Sequence, residues 1–253
     1  MSSKSTSVLG LRVDLYSKKE ILVELESAIR ENTKKVFAYL NVHGANLAVR
    51  EPWIKRFYDI ADIVYADGQG IRFACWLLSD EIPPHLPLTE WIWDMMNICD
   101  ERGYSVYLLG GTQEVVQEAV EKISRKYSRL RIAGSQDGYF QKNGVESDSV
   151  VHNVNKVSPD ILLIGLGMPA QEKWVVDNLQ QLQVRALFTV GGCIDVLAGR
   201  RLHVPIMIRR MGLEWALRLI EEPGRLFSRY VIGTPKFALR VLAEKFRMKR
   251  TAD

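Results

Sequence analysis

Ile161-Leu162-Leu163-Ile164-Gly165-Leu166-Gly167 is a near-continuous apolar run, entered through Ser158-Pro159-Asp160 and closed by two glycines. A run without polar alternation suits a strand buried on both faces, and parallel sheets covered by helices bury strands in that way. The same construction recurs on either side of it. Val184 to Val190 ends on Gly191-Gly192, Tyr104 to Leu109 on Gly110-Gly111-Thr112, Ala61 to Ala66 on Asp67-Gly68-Gln69-Gly70, and Lys35 to Leu40 on Asn41. Leu130 to Ala133 adds a further strand. The pattern predicts an α/β fold: a Rossmann-like, mostly parallel sheet with helices on both faces.

The helices between these strands announce their own starts. Ser17 with Glu20 has capping-box spacing and opens an amphipathic helix running to about Arg30, after a short strand from Leu9 to Asp14. Pro52 begins a helix with Trp53, Phe57 and Ile60 on one face, and Thr112 caps a helix with Val115, Val116, Ala119 and Ile123 inward. Pro83, Pro84 and Pro87 set a loop ahead of a long helix that starts near Thr89. Val145 to Val157 is a helix of weaker pattern, and Pro169 stands near the first position of a helix that carries Gln171, Glu172 and Trp174.

The 253 residues are enough for one large domain with a small addition, and the charge divides the chain in the same place. Residues 200–253 hold 13 Lys and Arg against 5 Asp and Glu, a net +8, while the preceding residues carry a net −4. We expect a catalytic α/β domain over 1–199 and a basic, helical C-terminal appendage over 200–253. Its arginines, interleaved with Trp, Phe and Leu, suit either an anionic membrane surface or helices packed on the sheet with their charges in water. A nucleic acid is not expected as a partner, because the tail lacks a reading motif. Cys75, Cys99 and Cys193 are too dispersed for a disulfide framework, which fits a reducing compartment, and no run suggests a membrane span. Trp76, Trp91 and Trp93 suit either core or contact between copies of the chain, so a homo-oligomer stays open.

Chemistry narrows to the strand ends. There is no GxGxxG, P-loop, HExxH or GxSxG pattern, and His43, His85, His152 and His203 are scattered, so no metal site is expected. Polar groups that follow successive strands of a parallel sheet converge on one crevice. Here they are Asn41, Asp67, the Gly110-Gly111 turn, Gln171 with Glu172, and Asp195. One carboxylate among hydrogen-bonding groups and glycine turns that admit phosphate suits group transfer from a nucleotide-activated donor. Asp-Gly is equally a common turn and helix cap, so spacing alone leaves both readings of Asp67 open.

Beyond spacing, the chain resembles the WecG/TagA/CpsF glycosyltransferase family from roughly Val8 to Phe237. The resemblance rests on Asn41-Val42-His43-Gly44-Ala45-Asn46-Leu47, Ala66-Asp67-Gly68-Gln69-Gly70, Leu108-Leu109-Gly110-Gly111, Pro159-Asp160 and Gly165-Leu166-Gly167-Met168-Pro169-Ala170-Gln171-Glu172. It continues through Val190-Gly191-Gly192, Asp195 and Gly212-Leu213-Glu214-Trp215 to Arg218, with Glu222-Pro223 and Arg225. It implies inverting transfer of a sugar (N-acetylmannosamine, its uronic acid, or glucose) from a UDP donor to a sugar on a polyprenyl diphosphate. The work would be done without a metal or other cofactor, at the cytoplasmic face of a bacterial membrane, in cell-envelope or exopolysaccharide synthesis. Asp67 would be the general base. Tyr39, Asn41, Gly68, Gly70, Gly110, Gly111, Gln171, Glu172 and Asp195 would hold substrate, and Arg218, Arg225 and Arg229 would face the lipid diphosphate from a mobile, membrane-docking tail.

Two departures from the family pattern stand out. Tyr39 occupies a position where many members carry Thr, and an Arg-x-Thr-Gly-x-Asp pattern is reduced to His85-x-Pro87-Leu88-x-Glu90. They motivate an alternative in which the chain is a nucleotide-sugar-binding or scaffold subunit that has lost catalysis.

Overall fold

A computed structural model describes residues 4–200, 216, 219–220 and 223–252. Its main sheet has six strands, all paired in parallel: β3 (Lys35–Leu40), β4 (Ile63–Ala66), β5 (Ser105–Gly110), β6 (Arg131–Gln136), β7 (Ile161–Gly165) and β8 (Ala186–Thr189), in the spatial order β4-β3-β8-β7-β5-β6. Side chains alternate between two cores. Val36, Ala38 and Leu40 of β3 point to one, with Leu162 and Ile164 of β7; Phe37 joins Ile161, Leu163 and Phe188 in the other. Phe37 and Phe188, paired in register, stack with centroids 4.2 Å apart.

Helices α2 (Val42–Arg50), α3 (Pro52–Ile60), α4 (Gln69–Ser79), α7 (Gly144–Val157) and α8 (Ala170–Asn178) feed the first core. Helices α1 (Lys18–Arg30), α5 (Leu88–Arg102), α6 (Gln113–Lys126) and α9 (Cys193–Leu197) feed the second. The expected caps are present. Ser17 and Glu20 form a reciprocal capping box on α1, and the Thr112 hydroxyl accepts from the Val115 N–H at the start of α6. Chain leaving β3 goes to α2 on one face, whereas chain leaving the neighbouring β8 goes to α9 on the other. Such a divergence opens a crevice at the carboxyl ends of the two strands.

At the N-terminus, the single short strand expected from Leu9 to Asp14 is instead a hairpin, β1 (Ser5–Val8) and β2 (Leu11–Asp14). It turns through Leu9 and Gly10, both at positive φ. The buried Asp14 carboxylate accepts the Val64 N–H at 2.8 Å, so the hairpin covers the outer edge of β4, the edge strand at that end of the six-stranded sheet. Beyond residue 199, α10 (Pro223–Phe227), a π-helical turn (Ser228–Ile232) and α11 (Gly233–Ala252) are described. The helix expected over 207–220 falls largely outside the described residues. Phe237 and Val241 of α11 enter the first core, and Glu244 accepts the Leu9 N–H at 2.9 Å. Trp91 is buried and Trp93 partly so, while Trp76 is 45% exposed.

Candidate active site

Asp67 follows the last residue of a fully buried strand, and its N–H bonds to the Leu40 carbonyl at 2.8 Å, holding the first residue beyond β4 against the end of β3. Gly68, at φ 94°, turns the chain into α4; a side chain there would be strained. Gly70 serves packing, because a Cβ would run into the Val42 side chain of α2. Asn41 caps α2: its Oδ1 accepts the Gly44 N–H at 3.0 Å, which commits the oxygen and leaves the amide NH2 as a donor. The Asp67 carboxylate and these groups, all partly exposed, line the ends of β4 and β3.

Gln171 and Glu172 sit in the first turn of α8 and are fully buried. The Gln171 Oε1 accepts the Gly191 N–H at 3.0 Å, and its Nε2 donates to the Tyr39 hydroxyl at 3.1 Å and to Glu172 Oε1 at 2.7 Å. One amide thus ties the ends of β3, β7 and β8 together. The second Glu172 oxygen has no hydrogen-bond partner among the described residues. Burial pushes the Glu172 carboxyl up to about 7, against the Gln171 hydrogen bond and the Arg229 charge, which favour the anion. Burial likewise holds the Tyr39 phenol well above its ordinary range, with the Glu172 charge adding to it, so the phenol keeps its proton. Tyr58, which the sequence reading did not single out, donates to the Tyr39 carbonyl at 3.4 Å. It lies beside Phe57 of an amphipathic helix, where nothing in the pattern distinguishes it from core.

The other strand ends are built from backbone. A Cβ on Gly110 would collide with the Gly165 carbonyl group, one on Gly165 would lie 2.7 Å from the Gly191 oxygen, and one on Gly191 would lie 2.9 Å from the Tyr39 hydroxyl. These contacts make a continuous row, Gly110-Gly165-Gly191-Tyr39, across the top of the sheet. Gly111 accepts the Gly138 N–H at 2.8 Å, which brings the loop after β6 to this row and sets Tyr139, 80% exposed, near it. Asp195 lies in the short α9, partly exposed, where its main-chain oxygen accepts from Arg200.

Of the three tail arginines, Arg229 is described, in the π-helical turn, and its charge bears on Tyr39, Tyr58 and Glu172 alike. Arg218 lies outside the described residues, as does the side chain of Arg225. The turn that carries Arg229 is anchored to the body. Asn46 donates to the Gly233 carbonyl at 2.7 Å, and Arg240 donates to Asn46 Oδ1 at 2.6 Å. His43 lies in the first turn of α2, and among the described residues no three His, Cys, Asp or Glu side chains cluster closely enough to hold a metal ion. No described helix is long and apolar enough to cross a membrane.

The molecule is thus an α/β protein whose parallel sheet gathers a strand-end carboxylate, two amides of fixed polarity and the charge of a tail arginine at its carboxyl edge. A model of the "Glycosyl transferase WecG/TagA/CpsF family" matches residues 6–251. The chain belongs to that family and is a glycosyltransferase. Among its relatives are proteins of Staphylococcus aureus strains NCTC 8325 / PS 47 and MRSA252, each named N-acetylglucosaminyldiphosphoundecaprenol N-acetyl-beta-D-mannosaminyltransferase. Each is 26% identical over 233 residues, covering 87% of this chain and 88% of the relative.

Proposed function

We propose that this glycosyltransferase moves a sugar, with inversion, from a UDP donor to a sugar carried on a polyprenyl diphosphate, with Asp67 as general base. The observation that carries the reading is Asp67 held at the end of β4 beside Tyr39, in a crevice reached by the charge of Arg229. In the transfer, Asp67 takes the proton of the acceptor hydroxyl as its oxygen bonds to the anomeric carbon. The bond from that carbon to the diphosphate oxygen breaks, and UDP leaves with the electron pair. The relatives' names favour N-acetylmannosamine as the donor sugar and N-acetylglucosamine on undecaprenyl diphosphate as the acceptor, ahead of the uronic acid or glucose.

We place the protein at the inner face of the cell membrane, a reading supported by the lipid-linked acceptor in the relatives' names and by the outer face of α11. Leu239, Leu242 and Phe246, at helical spacing, are exposed at 68%, 44% and 65%, with Lys236, Lys249 and Arg250 also facing outward. We assign 200–253 as the membrane-binding appendage of the 1–199 catalytic domain, with Arg229, and by resemblance Arg218 and Arg225, meeting the lipid diphosphate. The reaction is expected to need no metal or other cofactor. Purified protein with UDP-N-acetylmannosamine and undecaprenyl-diphosphate N-acetylglucosamine should yield the disaccharide lipid and UDP, undiminished by EDTA. UDP binding without transfer to any lipid acceptor would favour the alternative of a binding or scaffold subunit, which Tyr39 and the altered Pro-rich loop motivate.

A further inference from the structure

The hydrogen bonds around Gln171 determine more than its position. A main-chain N–H can only donate, so the Gly191 N–H at 3.0 Å fixes which end of the Gln171 amide is oxygen. The Nε2 then has two hydrogens, and both are placed: one on Glu172 Oε1 at 2.7 Å, one on the Tyr39 hydroxyl at 3.1 Å. Tyr39 therefore accepts in that bond, and its own proton points elsewhere. The phenol proton has no acceptor among the described residues.

Asn41 repeats the device two residues further along the chain. The Gly44 N–H claims its oxygen, leaving the NH2 as donor. The end of β3 thus offers two hydrogen-bond donors whose polarity the backbone has fixed, the Tyr39 hydroxyl and the Asn41 amide, within reach of the Arg229 charge as well as those of Glu172 and Asp67. Sugar hydroxyls both donate and accept; phosphoryl oxygens only accept. A set of donors matches the second. Gly191 makes room for this arrangement, since a Cβ on residue 191 would lie 2.9 Å from the Tyr39 hydroxyl and push it from its place.

We propose that Tyr39 donates its phenol proton in a hydrogen bond to the diphosphate of the nucleotide donor, with Gln171 as the positioning residue that aims it. This rests on the UDP-donor reading and extends it to one oxygen of the leaving group. The bond strengthens as the carbon–oxygen bond breaks and charge gathers on the diphosphate, so its effect falls on kcat as well as on binding. Gln171 and Glu172, both buried, act here from behind Tyr39.

The test uses the full-length chain with UDP and uridine as probes, measured by titration calorimetry, alongside turnover. Tyr39→Phe keeps the ring and removes the proton. It is expected to weaken UDP about tenfold, to leave uridine affinity within about twofold, and to lower kcat by roughly a hundredfold. Gln171→Glu puts an acceptor where the amide nitrogen was and draws the phenol proton away from the crevice. It should reproduce the loss of UDP affinity, and the double variant should lose no more than either single one. Unchanged UDP affinity in Tyr39→Phe, or an equal loss for uridine and UDP, would overturn the assignment. Wild-type protein that binds UDP but transfers no sugar would sink the transferase reading while leaving the Tyr39 contact measurable. Wild-type protein that binds neither probe would overturn both.

Discussion

The carboxyl edge of the sheet has two halves built from different materials. At β4 and β3 the crevice is lined by side chains: Asp67, Asn41 and Tyr39, with the buried Gln171 and Glu172 of α8 behind them. At β8, β7, β5 and β6 it is lined by backbone, with Gly191, Gly165, Gly110 and Gly111 in contact with one another or with the loop after β6. In the proposed mechanism the first half fixes chemistry, because a carboxylate or phenol acts only with its polarity and protonation set. The second half fixes shape, because glycine contacts leave no room for a side chain and present only amides. Substitutions should therefore fail in different ways on the two sides.

The largest effect is expected on the backbone side. Gly110 lies at φ 140° with its missing Cβ directed into the Gly165 carbonyl group, so Gly110→Ala meets strain and collision together. It should lose about 3 kcal/mol or more of stability, measured by denaturant unfolding. A loss below about 1 kcal/mol would mean that the glycine row is not a packed structure.

On the side-chain side the expected effect depends on pH. Glu172 is held at about 7 in the fold against an ordinary 4.5. The folded chain therefore keeps a proton that the unfolded chain has lost. Its stabilising contribution is complete below about pH 4.5 and fades as the pH rises to 7, over a range of about 3 kcal/mol. Glu172→Gln should flatten that part of the stability-versus-pH curve. A variant curve with the wild-type slope would assign the pH dependence to other groups.

The smallest effect on the fold is expected at the exposed face of α11. Phe246→Glu should change stability by less than about 0.5 kcal/mol and weaken binding to anionic vesicles several-fold. Unchanged vesicle binding would remove this stripe from the membrane contact.

How far the sequence disclosed these two halves follows from which interactions are local. Apolar runs and the caps at Ser17 and Thr112 are short-range signals, and they located the strands and the starts of α1 and α6. β6 reached beyond Ala133 to Gln136, because an edge strand tolerates polar residues that its pattern then hides. The β1–β2 hairpin was missed because its turn places Leu9 in the left-handed region, a position with no residue signature of its own. Asp67 and Asn41 could be found from their place after a strand. The polarity of Tyr39 could not, since it depends on an amide 132 residues away and on a main-chain N–H from a third strand. The glycines were visible as phosphate-friendly turns, while their contacts with one another required the sheet order.

The proposed role of Asp67 as the base is tested most directly by the transfer rate of Asp67→Asn with a UDP-sugar and a polyprenyl-diphosphate sugar. The substitution preserves size and removes proton-accepting power. We expect kcat to fall by about 10²- to 10⁴-fold while UDP affinity stays within about twofold. An Asn variant that turns over at the wild-type rate would contradict the account.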